Sequence, residues 1–250
     1  MVDINALKIS CGHCSLAELC LPRGLDPDEV DRLDALVKRR RPLQRGEPLF
    51  QAGEHFRSLF AIRSGSLKTV ALAGDGSEQI LGFHLAGELV GMDAVHGDVH
   101  NCAAVALEVT SVCEIPFLEL GDLSRQLPGL QMQLFRLAGQ EINNDQEVLL
   151  MLGNRSAEER LATFLWSLGG RFNERGFSQY EFNLTMSRHD IANYLGLAAE
   201  TVSRLFTQMD KDGLLKVQRR HITILEPERL SSMVHLCTEN PARRRGGGVS

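Results

Sequence analysis

A change of punctuation part way along the chain restricts the fold more than any other feature. Glycine recurs every few residues at 46, 53, 65, 74, 76, 82, 87, 91 and 97. Between these glycines lie the short apolar runs "SLFAIR", "SLKTVALA" and "EQILGFHL", and "CAAVALEV" follows them. Short strands separated by turn residues at this spacing predict a barrel or jelly roll. Just before it, "DPDEVDRLDALVKRR" reads as a short helix capped by Asp26, with Pro27 in its first turn. After Pro128 the pattern changes, and no proline occurs through Phe172. Leu130, Leu134, Leu137, Ile142, Leu149 and Leu152 recur there at helical spacing. They predict a helix of roughly 25 residues, ~37 Å long at 1.5 Å per residue.

The class is therefore α+β. The expected order is a cysteine-rich loop (1–25), a β-roll (26–127), a long helix (128–154), a winged helix-turn-helix (155–230) and a tail (231–250). A helix that outruns a small roll either packs as a core helix or pairs with a second copy as a coiled coil. On the second reading Leu134, Ile142, Asp145 and Leu149 face a symmetry mate. Paired Asp145 carboxylates would then repel and leave the homodimer marginal. Alternatively, Asp145 sits solvated at the edge.

The segment "TMSRHDIANYLGLAAETVSRLFTQMDKDGLLKV" follows the order of a helix-turn-helix. Ser187 caps the first helix, with Asp190 three residues on, and Ile191, Ala192 and Leu195 face inward. Gly196 turns the chain. The second helix buries Val202, Leu205, Phe206 and Met209 and ends at Gly213. "LLKVQRRHITIL" reads as a two-stranded wing whose turn carries Gln218, Arg219 and Arg220. The N-terminal end of the second helix presents Glu200, Thr201, Ser203 and Arg204, residue types that suit base edges in a major groove. A solvated polar face is the alternative. Net charge is −5, and residues 187–229 hold seven Lys or Arg against six Asp or Glu. Affinity for double-stranded DNA must therefore come from a few placed cations, Arg188, Arg204, Lys216, Arg219 and Arg220, and from two half-sites on a dimer.

Three of the six cysteines stand in "CGHCSLAELC", at Cys11, Cys14 and Cys20. The start "MVDINALKIS" lacks a signal-peptide pattern, and no apolar run approaches 18 residues. A cytoplasmic protein with no membrane association is expected, in which clustered cysteines point to a metal or redox chemistry. Three thiolates need a fourth donor, and spacing does not choose between Cys102 and Cys113. Cys237 reads as a bystander.

Together these parts resemble the FNR-type oxygen-sensing regulators of the CRP/FNR superfamily over nearly the full length. The matching stretches are "CSLAELCLP", "SLFAIRSGSLK", "EQILGFHLAGELVG", "TSVCEIPF", "AEERLATFL", "RGFS" and "NYLGLAAETVSRLF". The resemblance implies a cyclic-nucleotide-binding-like roll and one [4Fe-4S] cluster per subunit, held by Cys11, Cys14, Cys20 and, through "TSVCEIPF", Cys113. It implies that the cluster favours dimerisation and DNA binding. Oxygen converts the cluster to [2Fe-2S] and then destroys it, and DNA is released. It places Ile142 in the dimer interface, with base contacts from Glu200, Ser203 and Arg204 to a palindrome close to TTGAT-N4-ATCAA. Ser15 and Leu19 match positions that shield the cluster, although simple loop packing also accounts for them. The turn containing Ala73, Gly76 and Ser77 matches a contact with RNA polymerase. Ser77 departs from the acidic residue often found there, which puts that contact in doubt. A second polymerase-facing surface would include Phe172, Phe177 and Ser178. No cAMP binding is expected, because no arginine lies between Gly87 and Glu108 to pair with a cyclic phosphate.

Other classes compete with this reading. Four thiolates also suit a structural zinc, and the loop cysteines alone would suit a thiol–disulfide sensor. An iron–sulfur electron carrier or enzyme finds no support: there is no second cysteine cluster, no phosphate loop and no acid/base pair.

Overall fold

The computed structural model describes residues 10–72, 74 and 76–234. Ala73, Cys237 and most of the tail lie outside the described residues. The chain forms two compact units. Met1–Glu141 with Thr185–Tyr194 make one, and Ile142–Leu184 with Leu195–Ser250 the other. The division falls inside the long helix rather than at its ends.

In the first unit, helix α1 (Pro27–Leu36) starts on the expected cap: Asp26 accepts from Glu29 N, and Glu29 answers the Asp26 N–H. It ends earlier than the sequence suggests, because Lys38–Arg39 already form strand β1. Strands β2 (Pro48–Phe50), β3 (Ser58–Ser64), β4 (Ser66–Leu72), β5 (Glu78–Leu85), β6 (Leu89–Val90), β7 (Ala103–Ala106) and β8 (Ser111–Pro116) complete the roll. They form two antiparallel four-stranded sheets, ordered β1-β8-β3-β6 and β2-β7-β4-β5. Helix α2 (Phe117–Gln126) follows, and then α3 (Pro128–Asn154), whose 27 residues match the expected length.

Strand periodicity determines what each face of the first sheet sees. Phe60 and Ile62 of β3 and Val112 of β8 point into the roll, where they pack with Phe50, Leu67 and Cys102. Leu59, Ala61 and Ile115 point the other way, into a second core built with Leu21, Leu33, Leu120 and Leu130 from the flanking segments. Cys113 packs against this outer core, whereas Cys102 belongs to the inner one. Each fully buried Leu or Ile of this kind contributes roughly 1.5–3 kcal/mol.

The second unit holds the C-terminal part of α3 and helix α4 (Ala157–Glu174), which is capped by Ser156 and Glu159. Strand β9 (Glu181–Asn183), helices α5 (Arg188–Leu195) and α6 (Ala199–Lys211), strands β10 (Leu215–Gln218) and β11 (His221–Ile224), and helix α7 (Pro227–Ser232) follow in the chain. The wing has three strands, ordered β10-β11-β9, rather than the two expected. Arg160 donates to the carbonyls of Leu152, Arg155 and Leu195, placing a cation at the ends of α3 and α5. Among the described residues, no helix is long and apolar enough to cross a membrane.

Candidate functional site

The cysteine segment is a pair of short 3-10 turns, Cys11–His13 and Ala17–Leu19. So few internal hydrogen bonds cannot hold a shape alone, and the segment is pinned from outside. Asp34 on α1 accepts from Cys11 N at 2.9 Å and from Arg39 at 2.8 Å. Arg39 in turn lies opposite Cys113 in the β1–β8 pairing. On the other side Gln133 of α3 donates to the Cys20 carbonyl at 3.0 Å. Leu21, 2% exposed, drives the end of the segment into the outer core.

This pinning brings all four expected cysteines to one cleft. Cys11, Cys14, Cys20 and Cys113 line it together with apolar side chains, among them Leu16, Leu21, Leu33 and Ile115, and with Arg63. Cys102 is absent from this lining. It lies in the roll, where its thiol donates to Asp93 at 3.5 Å. Among the described residues, no three His, Cys, Asp or Glu side chains stand close enough to grip a single ion. The cleft offers four sulfurs around an apolar space.

Burial governs the thiols. It pushes Cys11 well above the ordinary thiol range, and the Asp34 carboxylate adds to the effect. It pushes Cys20 up to about 12. Burial raises Cys113 too, against the opposing pull of Arg39 and Arg63. These are neutral thiols at pH 7 until a metal displaces their protons. Burial pushes Asp34 up, but its hydrogen bonds with Cys11 and Arg39 outweigh this and hold it below the usual carboxylate range.

Ser15 is exposed, and Leu19 packs against Gly87; neither is among the lining residues. At Gly87 the backbone is left-handed (φ +93°), and a Cβ there would lie 3.0 Å from that of Leu19. The sequence reading did not find Asp34, Arg39, Arg63 or Gln133. Only Gln133 left a signal, as a polar residue among Leu130, Leu134 and Leu137 on one helical face.

That face differs from the one exposed further along α3. Leu130 is fully buried, and Leu134 and Leu137 pack on the outer core. Leu134, expected at an intersubunit seam, thus turns toward its own chain. Among the exposed apolar positions, which also include Met132 and Leu150, Phe135, Ile142 and Leu149 stand seven residues apart, at 66%, 57% and 70% exposure. Ala138, Asp145 and Leu152 stand three residues after each of them, so Asp145 occupies a seam position and is exposed. The sequence reading merged two faces into one stripe.

In the helix-turn-helix, Ser187 and Asp190 cap α5 reciprocally, at 3.0 and 2.8 Å. Gly196 turns the chain at φ +62°. Val202, Phe206 and Met209 are buried beneath α6, with Leu205 half-buried. Glu200, Ser203 and Arg204 are exposed on it and Thr201 is half-buried. Ser203 gives its hydroxyl proton to the Ala199 carbonyl at 2.9 Å, which leaves its oxygen as an acceptor. No side chain caps α6 at Ala198, so its first N–H groups stay open to an anion. Arg188 is half-buried, and burial lowers its guanidinium to about 10. Arg219 adopts φ +59° at the tip of the wing.

Of the turn matched to a polymerase contact, Gly76 and Ser77 are exposed. On the second such surface Phe177 is 64% exposed, and Ser178 accepts from the N–H groups of Tyr180 and Glu181.

Comparison with known proteins agrees with this architecture. A cyclic nucleotide-binding domain model matches residues 40–126, and a Crp-like helix-turn-helix domain model matches residues 159–233. The chain is 49% identical over 239 residues to the fumarate and nitrate reduction regulatory protein of Vibrio cholerae, covering 96% of each chain. It is 51% identical to the transcriptional activator protein anr of Pseudomonas aeruginosa, over 93% of this chain and 96% of that one. The solved structure of FixK2 from Bradyrhizobium japonicum superposes with a TM-score of 0.73 at 28% identity, covering 81% of this chain and 99% of that one. By its fold, its helix-turn-helix and these full-length relatives, the chain belongs to the CRP/FNR family of transcription regulators.

Proposed function

We propose that this protein is a cytoplasmic, oxygen-responsive transcription factor that acts under anaerobic conditions. The observation that carries the reading is the cleft: three thiols from one loop and a fourth from β8 meet in an apolar space. Cys11, Cys14, Cys20 and Cys113 would hold one [4Fe-4S] cluster per subunit, the ligand set such clusters take. When bound, the cluster supplies reactivity toward oxygen. The chain does the rest. Leu16, Leu21, Leu33 and Ile115 keep bulk water from the sulfurs. Asp34 and Gln133 fix the two ends of the loop. Phe135, Ile142 and Leu149 offer a heptad face to a second copy, and Asp145 sets it near balance through like-charge repulsion. A bias of about 1.4 kcal/mol at the cleft then changes the dimer ratio tenfold. Glu200, Thr201, Ser203 and Arg204 of α6 read a TTGAT-N4-ATCAA-like palindrome, and Arg188 of α5 adds a DNA contact. Gly76 and Ser77, and Phe177, face RNA polymerase.

One observation weighs against a thiol–disulfide sensor. Reactive redox thiols have lowered pKa values, whereas burial raises Cys11, Cys20 and Cys113. The lack of an arginine between Gly87 and Glu108 supports a roll that does not take cAMP.

The test is an absorbance spectrum with iron and sulfide assays on protein purified without oxygen. Palindrome binding is followed on the same sample as air is admitted. A visible band that bleaches as DNA is released is the expected result. Cys113→Ser should lose the band and Cys102→Ser should keep it. A colourless protein that binds the palindrome equally well in air would refute the sensing half of the proposal.

A further inference from the structure

The loop and the long helix are joined by a direct polar contact. Gln133 is 2% exposed on the inner face of α3, between Leu130 and Leu134. Its Nε2 donates to the backbone carbonyl of Cys20 at 3.0 Å. Its Oε1 is also buried, and among the described residues it has no hydrogen-bond partner. A carboxamide satisfied at only one end is a poor choice for a core position. Leu or Met fills the same volume without a stranded acceptor. What Gln133 adds over either is the bond to Cys20.

The position of that bond gives it a consequence. Cys20 is one of the four thiols of the cleft, and the next residue, Leu21, is packed in the same outer core as Leu130, Leu134 and Leu137. The segment cannot shift at Cys20 without dragging or breaking the Gln133 contact. Helix α3 is continuous through this region, so a displacement at Gln133 is felt two residues on at the exposed Phe135. We propose that Gln133 is the positioning residue that couples the ligation state of Cys20 to the self-association face of α3. This rests on the function proposed above, since it requires a metal-bound state and a dimer.

The experiment compares full-length wild type with Gln133→Leu, both purified without oxygen, with iron bound and with iron removed. Sedimentation velocity gives the dimer dissociation constant of each form, and iron content and thermal unfolding are measured alongside. In wild type, iron should tighten the dimer by about tenfold or more, within the usual range of coupling between sites. Gln133→Leu should keep its unfolding midpoint, and in the fraction that carries iron the ratio between loaded and stripped forms should fall toward one. An unchanged ratio in the variant would overturn the role of Gln133 while leaving the proposed function intact. A wild-type ratio of one, or a wild type without iron, would overturn both. Hydrogen exchange on wild type supplies a measurement that needs no variant. Iron should slow exchange at residues 130–137 together with 19–22; slowing confined to the loop would refute the coupling.

Discussion

The cysteine loop and helix α6, to which sensing and DNA reading are assigned in the proposal above, are built in opposite ways. Helix α6 is made in advance. Its 13 residues bury Val202, Phe206 and Met209 on one side and leave Glu200, Ser203 and Arg204 on the other. The loop has only two 3-10 turns, and it keeps its place through bonds made by Asp34 and Gln133, residues that are not its own. A reader must present the same face each time it meets DNA, so rigidity serves it. A sensor has to change when its ligand does, and such segments come from the weakly held end of a fold. One chain thus spends its packing on the reader and economises at the sensor.

Three substitutions would break or sharpen this contrast. The largest effect is expected at Gly169 of α4, where a Cβ would lie 2.3 Å from the Gln179 carbonyl oxygen. A backbone atom cannot yield as a side chain can, so Gly169→Ala should cost about 3 kcal/mol in chemical denaturation. DNA binding should fall with it while iron content holds. Gly87→Ala is the counterpart on the sensor side. Its left-handed backbone and the 3.0 Å approach of Leu19 predict a loss of about 1–2 kcal/mol. Here iron content should fall first, and the unfolding of the reader should stay where it was. Equal loss of iron in both variants would dissolve the distinction.

The smallest effect concerns Asp190, which ties the first helix of the reading motif to β4 through Lys68 at 2.7 Å. Burial raises the Asp190 carboxyl, but Lys68 and the Ser187 cap outweigh it and leave it lowered. A lowered carboxylate contributes stability above its unfolded pKa of about 3.9 and loses it as pH falls through the folded value. Between about pH 5 and pH 3, wild type should lose about 1 kcal/mol more than Asp190→Asn. Parallel pH curves for the two would show that the pair contributes nothing.

Much of this architecture was legible in the sequence, for identifiable reasons. The glycine spacing announced the roll, and "SLFAIR" and "EQILGFHL" became β3 and β5 because their apolar residues suit strands buried on one or both faces. The caps at Asp26 and Ser187 were legible because capping is local. What was not legible depended on facing. Spacing could not separate Cys113 from Cys102; the fold does, since Cys113 on β8 packs on the outer core, whereas Cys102, just before β7, packs in the inner one. Likewise, the leucines of α3 read as one stripe, although the roll claims Leu130 and Leu134 and leaves Ile142 and Leu149 uncovered. Asp34 and Gln133 are ordinary polar residues of helices, and only the arrival of the loop gives them their roles.

The uncovered face of α3 has one more consequence. An equilibrium between one copy and two depends on how much protein is present, whatever its ligand state. If Phe135, Ile142 and Leu149 meet their counterparts only weakly, the response of this chain is a joint function of the signal and of its own abundance. A cell that makes twice as much of it resets the threshold without altering a residue.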